Sequence, residues 1–154
     1  MVPGSRRGQK LPRTRRSPTR LFSSNVKQAG VQACSKVFPV LGQVLTSGTK
    51  FGVKSSWNDQ AADKHPMQAL VGMDYATTQY NGPATGVIFA APTGSACEGT
   101  MVRVVPFAKP CASVPAMLPP NSKISDNLGQ LAVYVSAASP RGDRRVGRRY
   151  LRIF

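Results

Sequence analysis

Positive charge is concentrated at the two ends of this chain, and that concentration fixes where a folded core can lie. Residues 1–24 hold Arg6, Arg7, Lys10, Arg13, Arg15, Arg16 and Arg20 and no acid. Residues 140–154 hold six arginines against Asp143. The stretch between them, 25–139, carries eight bases and five acids, so only +3 of the formal net charge of +15 belongs to it. A cationic, proline-punctuated segment with few apolar side chains cannot bury enough surface to offset its ordering entropy. The sequence therefore reads as a disordered arm over 1–24, one domain over 25–139 and an arginine-rich tail over 140–154. A chain of 154 residues has room for one domain.

Within the middle, periodicity predicts an α+β fold. Val26, Cys34, Val37, Phe38, Leu41, Val44 and Leu45 recur at steps of three and four, which marks one amphipathic helix over 26–46. Pro39 lies inside it and is expected to kink or split it near Phe38. Strands are expected at Lys50–Lys54, Gln68–Thr77, Gly86–Ala91, Thr100–Phe107 and Gln130–Ser136, with a turn at Asn81-Gly82-Pro83 and loops over 55–66 and 110–127. One helix followed by four to five strands with short connections predicts a helix packed on a small, mainly antiparallel sheet.

Three cysteines, Cys34, Cys97 and Cys111, have no CxxC spacing, and an odd count leaves one unpaired. Cys97 and Cys111 bracket the strand Thr100–Phe107, so a disulfide between them is the expectation. A zinc site would need a fourth ligand, and His65 is the only histidine. No metal and no cofactor is assigned.

Motifs that suggest chemistry fail on spacing. Gly48-Thr-Lys-Phe-Gly52-Val-Lys54-Ser55 has three residues between its glycines and Val53 before Lys54, whereas a phosphate loop needs four and then Gly-Lys-Ser/Thr in succession. Ser95-Ala-Cys97-Glu-Gly99 resembles a nucleophile elbow, but that device needs a following helix, and a β-type run follows here. Asp59, Asp63 and His65 share a polar loop with Trp57. Asp74 falls within an expected strand and reads as a solvent-face residue. No catalytic residue is assigned.

The arms carry the strongest electrostatic signal. Arg6, Arg7, Arg13, Arg15, Arg16, Arg20, Arg144, Arg145, Arg148 and Arg149 can neutralise phosphates on nucleic acid or on an anionic membrane surface. They lack the interleaved aromatics of a stacking platform, since Phe22 and Tyr150 stand alone. The ends also have the composition of GC-rich coding sequence read out of frame. No run of about 20 apolar residues is present to span a bilayer.

Three functions follow as expectations. The first is a small non-enzymatic module of an extracytoplasmic compartment. The low charge density of the middle, its Thr/Ser/Ala/Gly-rich strands and its cysteine placement favour this. No secretory signal is expected in the chain as given, which opposes it. The second is a basic nucleic-acid- or ribosome-associated protein, intracellular or mitochondrial, that binds through its arms. The third is an enzyme built on Cys97, Cys34 or the Asp59–His65 loop.

Overall fold

The computed structural model describes residues 17–137 and 149–153. They form two compact units that divide between Pro106 and Phe107, inside the span 25–139 that the sequence reading treats as one domain. The class is α+β, as expected.

The first unit begins with two helices, α1 (Pro18–Ala29) and α2 (Val37–Thr46). The single helix expected over 26–46 is thus corrected to two, and the break falls at Gly30 rather than at Pro39. Gly30 adopts φ 71, the left-handed conformation that closes helices, and its N–H donates to the Lys27 carbonyl. The Val31 N–H reaches back to the Val26 carbonyl, and both side chains are buried. Pro39 does no damage because it lies in the first turn of α2, where its missing N–H has no helical acceptor.

The arm expected over 1–24 is also corrected from Pro18 onward. Proline at the first helical position is preorganised for a helix start. Phe22 and Val26, four residues apart, then face inward, and Phe22 is 0% exposed. Residues 1–16 lie outside the described residues.

Four strands follow: β1 (Lys50–Ser56), β2 (Met67–Ala76), β3 (Asn81–Thr93) and β4 (Ala96–Val104). They pair in sequence order as an antiparallel meander. The turn expected at Asn81-Gly82-Pro83 is displaced to residues 77–80, where Thr77 and Tyr80 exchange hydrogen bonds. Pro83 is accommodated because it lies beyond the last β3–β4 pair, Thr85–Val104.

Both helices belong to one face of this sheet. Burial alternates strictly along β2, where Met67, Ala69, Val71 and Met73 face the helices. On β3 the same side carries Gly86, Ile88 and Ala90. Phe22 sits edge-on to Phe38 at 5.9 Å and stacks on Phe51 of β1 at 6.0 Å. The helices approach closely because glycine leaves room: a Cβ on Gly42 would lie 2.3 Å from the Phe22 ring, and one on Gly86 would meet Leu45 at 2.8 Å.

The C-terminal end of α2 carries neither a basic residue in its last turn nor a glycine cap. Arg103 of β4 supplies the missing donors, its Nη2 reaching the Val44 carbonyl at 2.6 Å and also the Leu45 carbonyl. We expect Arg103→Met to lower stability by about 1 kcal/mol in urea unfolding, and Arg103→Lys to recover part of it.

The second unit holds β5 (Lys123–Leu128), β6 (Leu131–Ala137) and β7 (Arg149–Ile153), an antiparallel sheet in that order. The loop expected over 110–127 is corrected at its end, since β5 pairs with β6 through a two-residue turn at Gly129-Gln130. Every residue of β5 is exposed, so the strand carries no burial alternation for a sequence reading to detect. A bulge interrupts the register between Ile124 and Asp126. Val133 is buried, and the hydroxyls of Ser122 and Ser136 meet at 2.7 Å. β7 places the end of the basic tail in a strand.

Candidate interaction surface

Among the described residues of the first unit, the face of the sheet opposite the helices is open. Its outward positions alternate with the core positions, so strand periodicity determines what it displays. Three of them form one row across the sheet, Leu70 of β2 paired with Val87 of β3 and Val87 with Val102 of β4. Phe89 and Val104 flank that row. Exposure runs from 38% at Val87 to 59% at Leu70, with Phe89 at 41%, Val102 at 57% and Val104 at 58%. Scattered apolar residues on a surface need no explanation, whereas a contiguous patch on one sheet face is a candidate interaction surface.

Four charged side chains border this patch. Lys50 and Lys54 are on β1, Asp74 is on β2 and Glu98 is on β4, all at outward, exposed positions. Lys50 lies opposite Asp74 in the β1–β2 register, and Lys54 lies opposite Leu70. Asp74 is thus a solvent-face residue, as its place in the strand implied. The four charges cancel, in a chain whose total is +15.

The cysteines are arranged differently from the expectation. Cys34, buried in the connection between α1 and α2, is bonded to Cys97 of β4, with Cα atoms 5.1 Å apart. The pairing of Cys97 with Cys111 is therefore corrected: Cys111 is a free, exposed cysteine in the second unit. Spacing suggested the sequence-local partner, whereas the fold carries the α1–α2 connection onto the outermost strand. Cys97 is held as a disulfide in a hairpin strand after the Gly94-Ser95 turn, not at a helix start.

The other candidate motifs also resolve into structure. Gly52, Lys54 and Ser55 lie in the extended strand β1, where backbone amides serve the sheet ladder instead of wrapping a ligand. Asp63, in a 3₁₀ turn at Ala62–Lys64, accepts hydrogen bonds from the Gln32 and Ala33 amides at 2.6 and 3.0 Å. It thereby anchors the connection that carries Cys34. His65 and Asp59 are exposed, and among the described residues no three metal-ligating side chains converge. Arg20 is exposed on α1, beside a shallow surface depression lined by Thr19, Ser23, Ser24 and Lys27. Arg149 is in β7, and Arg6, Arg7, Arg13, Arg15, Arg16, Arg144, Arg145 and Arg148 lie outside the described residues.

The open face is what sequence reasoning missed. Gly86–Ala91 reads as a continuous apolar run, the pattern of a strand buried on both sides, yet Val87 and Phe89 are exposed. The available signal was a shortage of covering elements: the N-terminal stretch offers helices for one side of a sheet only. No helix among the described residues is long and apolar enough to cross a membrane. The chain matches no family model, no curated protein and no solved structure.

Proposed function

We propose that this chain is a non-catalytic binding module of an oxidising, extracytoplasmic compartment, and that it binds through the open face of its first sheet. The observation that carries the reading is the apolar patch of Leu70, Val87, Phe89, Val102 and Val104 on an otherwise well-packed unit. Five large apolar side chains left in water on one flat surface are costly to solubility and are retained where something docks on them. The compartment follows from the Cys34–Cys97 disulfide, which joins a buried position to the sheet's edge strand. Structural disulfides of this kind persist in oxidising compartments and are rare where thiols are kept reduced.

The test is the intact mass of the protein taken from its native host, alkylated with and without prior reduction. The expected result is one alkylated cysteine before reduction, Cys111, and three after it. Alkylation of all three without reduction would place the protein in a reducing compartment and overturn the reading.

A second reading has one observation in its favour. Arg20 and Lys27 are exposed together on α1, next to the hydroxyls of Thr19, Ser23 and Ser24, and the N-terminal arm leads directly into this helix. A polyanion bound there would lose affinity steeply with salt, and replacing Arg20 and Lys27 with glutamine would flatten that dependence.

A further inference from the structure

We infer that the open sheet face receives an aromatic side chain of a partner protein, seated on a glycine floor between β1 and β2 with a carboxylate of the same partner beside it. The inference rests on reading that face as a docking surface, and it adds the chemistry of the partner.

The floor is Gly52 of β1 and Gly72 of β2, which lie directly opposite each other at outward, exposed positions. Glycine inside a strand weakens it, and it commonly marks a bulge, a bend or a place where another group approaches the backbone closely. The β1–β2 register runs unbroken through this pair, so no bulge requires it. A Cβ on either residue would meet nothing within 4 Å, so packing within the chain does not require it. The other glycines among the described residues have such reasons. Five adopt positive φ, and at Gly42, Gly86 and Gly99 a Cβ would come within 3.0 Å of a neighbour.

Shape selects an aromatic ring. A flat ring laid over a strand glycine shields the bare backbone and fills the place of the absent side chain. Within a sheet that ring comes from a neighbouring strand. Here the nearest outward neighbours of the two glycines are Lys50, Lys54, Leu70, Asp74 and Thr85, and none is aromatic. The row continues from Gly72 through Thr85 to Val104, and the next row, Lys54–Leu70–Val87–Val102, gives it an apolar wall. That wall crosses to the far edge of the sheet, wider than one ring, and the floor is open at the β1 edge. Small ligands are held in concave sites that bury most of their surface. The occupant that fits an open floor beside a long apolar row is an aromatic residue set in a protein surface, a residue type enriched among interface anchors.

Charge selects what stands beside the ring. Lys50 and Lys54 flank Gly52 on the same face, each about 6.7 Å away along the strand. Asp74 lies opposite Lys50, whereas Lys54 lies opposite Leu70. The four charges cancel over the face as a whole, but Glu98 is on β4, at the other edge of the sheet. The β1 end therefore keeps one positive charge in excess, and the space over Gly52 between two lysines favours a carboxylate.

Titration of the isotope-labelled full chain with capped tripeptides tests this, read by NMR at the glycine signals up to about 10 mM peptide. The expected result with Glu-Phe-Glu is an upfield ring-current shift of the Hα signals of Gly52 and Gly72. Gln-Phe-Gln is expected to give the same shift with about threefold lower affinity, and Glu-Leu-Glu no upfield shift. Gly72→Val adds a side chain into open space on the solvent face, so it is expected to abolish the shift at Gly52 while Tm stays the same or rises. Lys54→Gln is expected to lower the affinity for Glu-Phe-Glu towards that for Gln-Phe-Gln. Absence of an upfield shift at both glycines, or a shift that Gly72→Val leaves intact, overturns the inference. Equal affinity for the two phenylalanine peptides overturns the carboxylate. An upfield shift produced by concentrating the protein alone would make a second copy the occupant and overturn the inference. Peptide-induced shifts confined to Leu70, Val87 and Val102 would overturn the ring on the floor and leave the docking reading standing. Protection of Leu70 and Phe89 from hydroxyl radicals in the free chain would overturn both, because the chain itself would cover the face.

Discussion

Replacing Phe22 with alanine is expected to cost about 3–5 kcal/mol, the largest loss for any single side chain of the first unit. Phe22 is fully buried and touches three elements at once: it meets Phe38 of α2 edge-on, stacks on Phe51 of β1, and fills the space that Gly42 leaves open. Its removal leaves a cavity that rigid neighbours on a sheet and a second helix cannot close. Domains of this size have roughly 5–15 kcal/mol in total, so much of the stability is lost. Urea unfolding followed by tryptophan fluorescence of Trp57 reads the change. Two truncations give a parallel result. A chain beginning at residue 17 is expected to match the full chain, whereas one beginning at residue 25 is expected to fall at least as far as Phe22→Ala. A loss below about 1 kcal/mol for Phe22→Ala would mean that α1 is not part of the core.

Opening the disulfide is the second large effect. Cys34 and Cys97 are separated by 63 positions, and closing a loop of that length removes about 4 kcal/mol of entropy from the unfolded chain in the loop-closure account. Measured losses for native disulfides in small domains are about 2–5 kcal/mol, which corresponds here to a fall in Tm of about 8 °C or more. We expect the double substitution Cys34→Ala with Cys97→Ala to show this fall, and excess reductant to reproduce it in the unsubstituted chain. Cys111→Ser is expected to leave Tm unchanged, because Cys111 is a free, exposed thiol. Equal falls for Cys111→Ser and the double variant would assign the bond to the wrong pair.

The strands were the most legible part of the sequence. Gln68–Thr77 differs from β2 by one residue at each end, and Gln130–Ser136 differs from β6 by the same amount. In both, apolar residues alternate with outward ones, and that period of two is visible without a structure. Lys50–Lys54 and Gly86–Ala91 each captured part of a longer strand. The missing portions carry proline, glycine, serine or threonine, which read as turn residues until cross-strand pairing overrides them.

The helices were less legible for a local reason. Pro18 and Gly30 carry opposite meanings depending on position: each is a breaker in mid-helix, yet one starts α1 and the other ends it. Treating Pro18 as punctuation hid the α1 start and with it Phe22. Treating Cys34 as a helix-face residue joined two helices across a connection whose backbone is held by Asp63. The disulfide partner was not legible at all, because Cys34 and Cys97 come together only once α1, α2 and all four strands are assembled. The same holds for the candidate surface. Leu70, Val87 and Val102 are far apart in sequence and form a row only through the β2–β3 and β3–β4 registers. Their exposure depends on a count of layers that periodicity within one strand cannot supply.

The account turns on one claim, that helices cover a single face of the first sheet and leave the other open. Hydroxyl-radical footprinting of the full chain at low concentration, resolved to single residues by mass spectrometry, tests it most directly. Along β3 the two faces alternate, so Ile88 and Phe89 are adjacent reporters of opposite sides. The account predicts that Phe89 and Leu70 are oxidised while Ile88, Phe38 and Phe22 are protected. Equal protection of Phe89 and Ile88 would contradict it by showing a sheet covered on both sides. Equal oxidation of the two would contradict it by showing that the helix layer is absent.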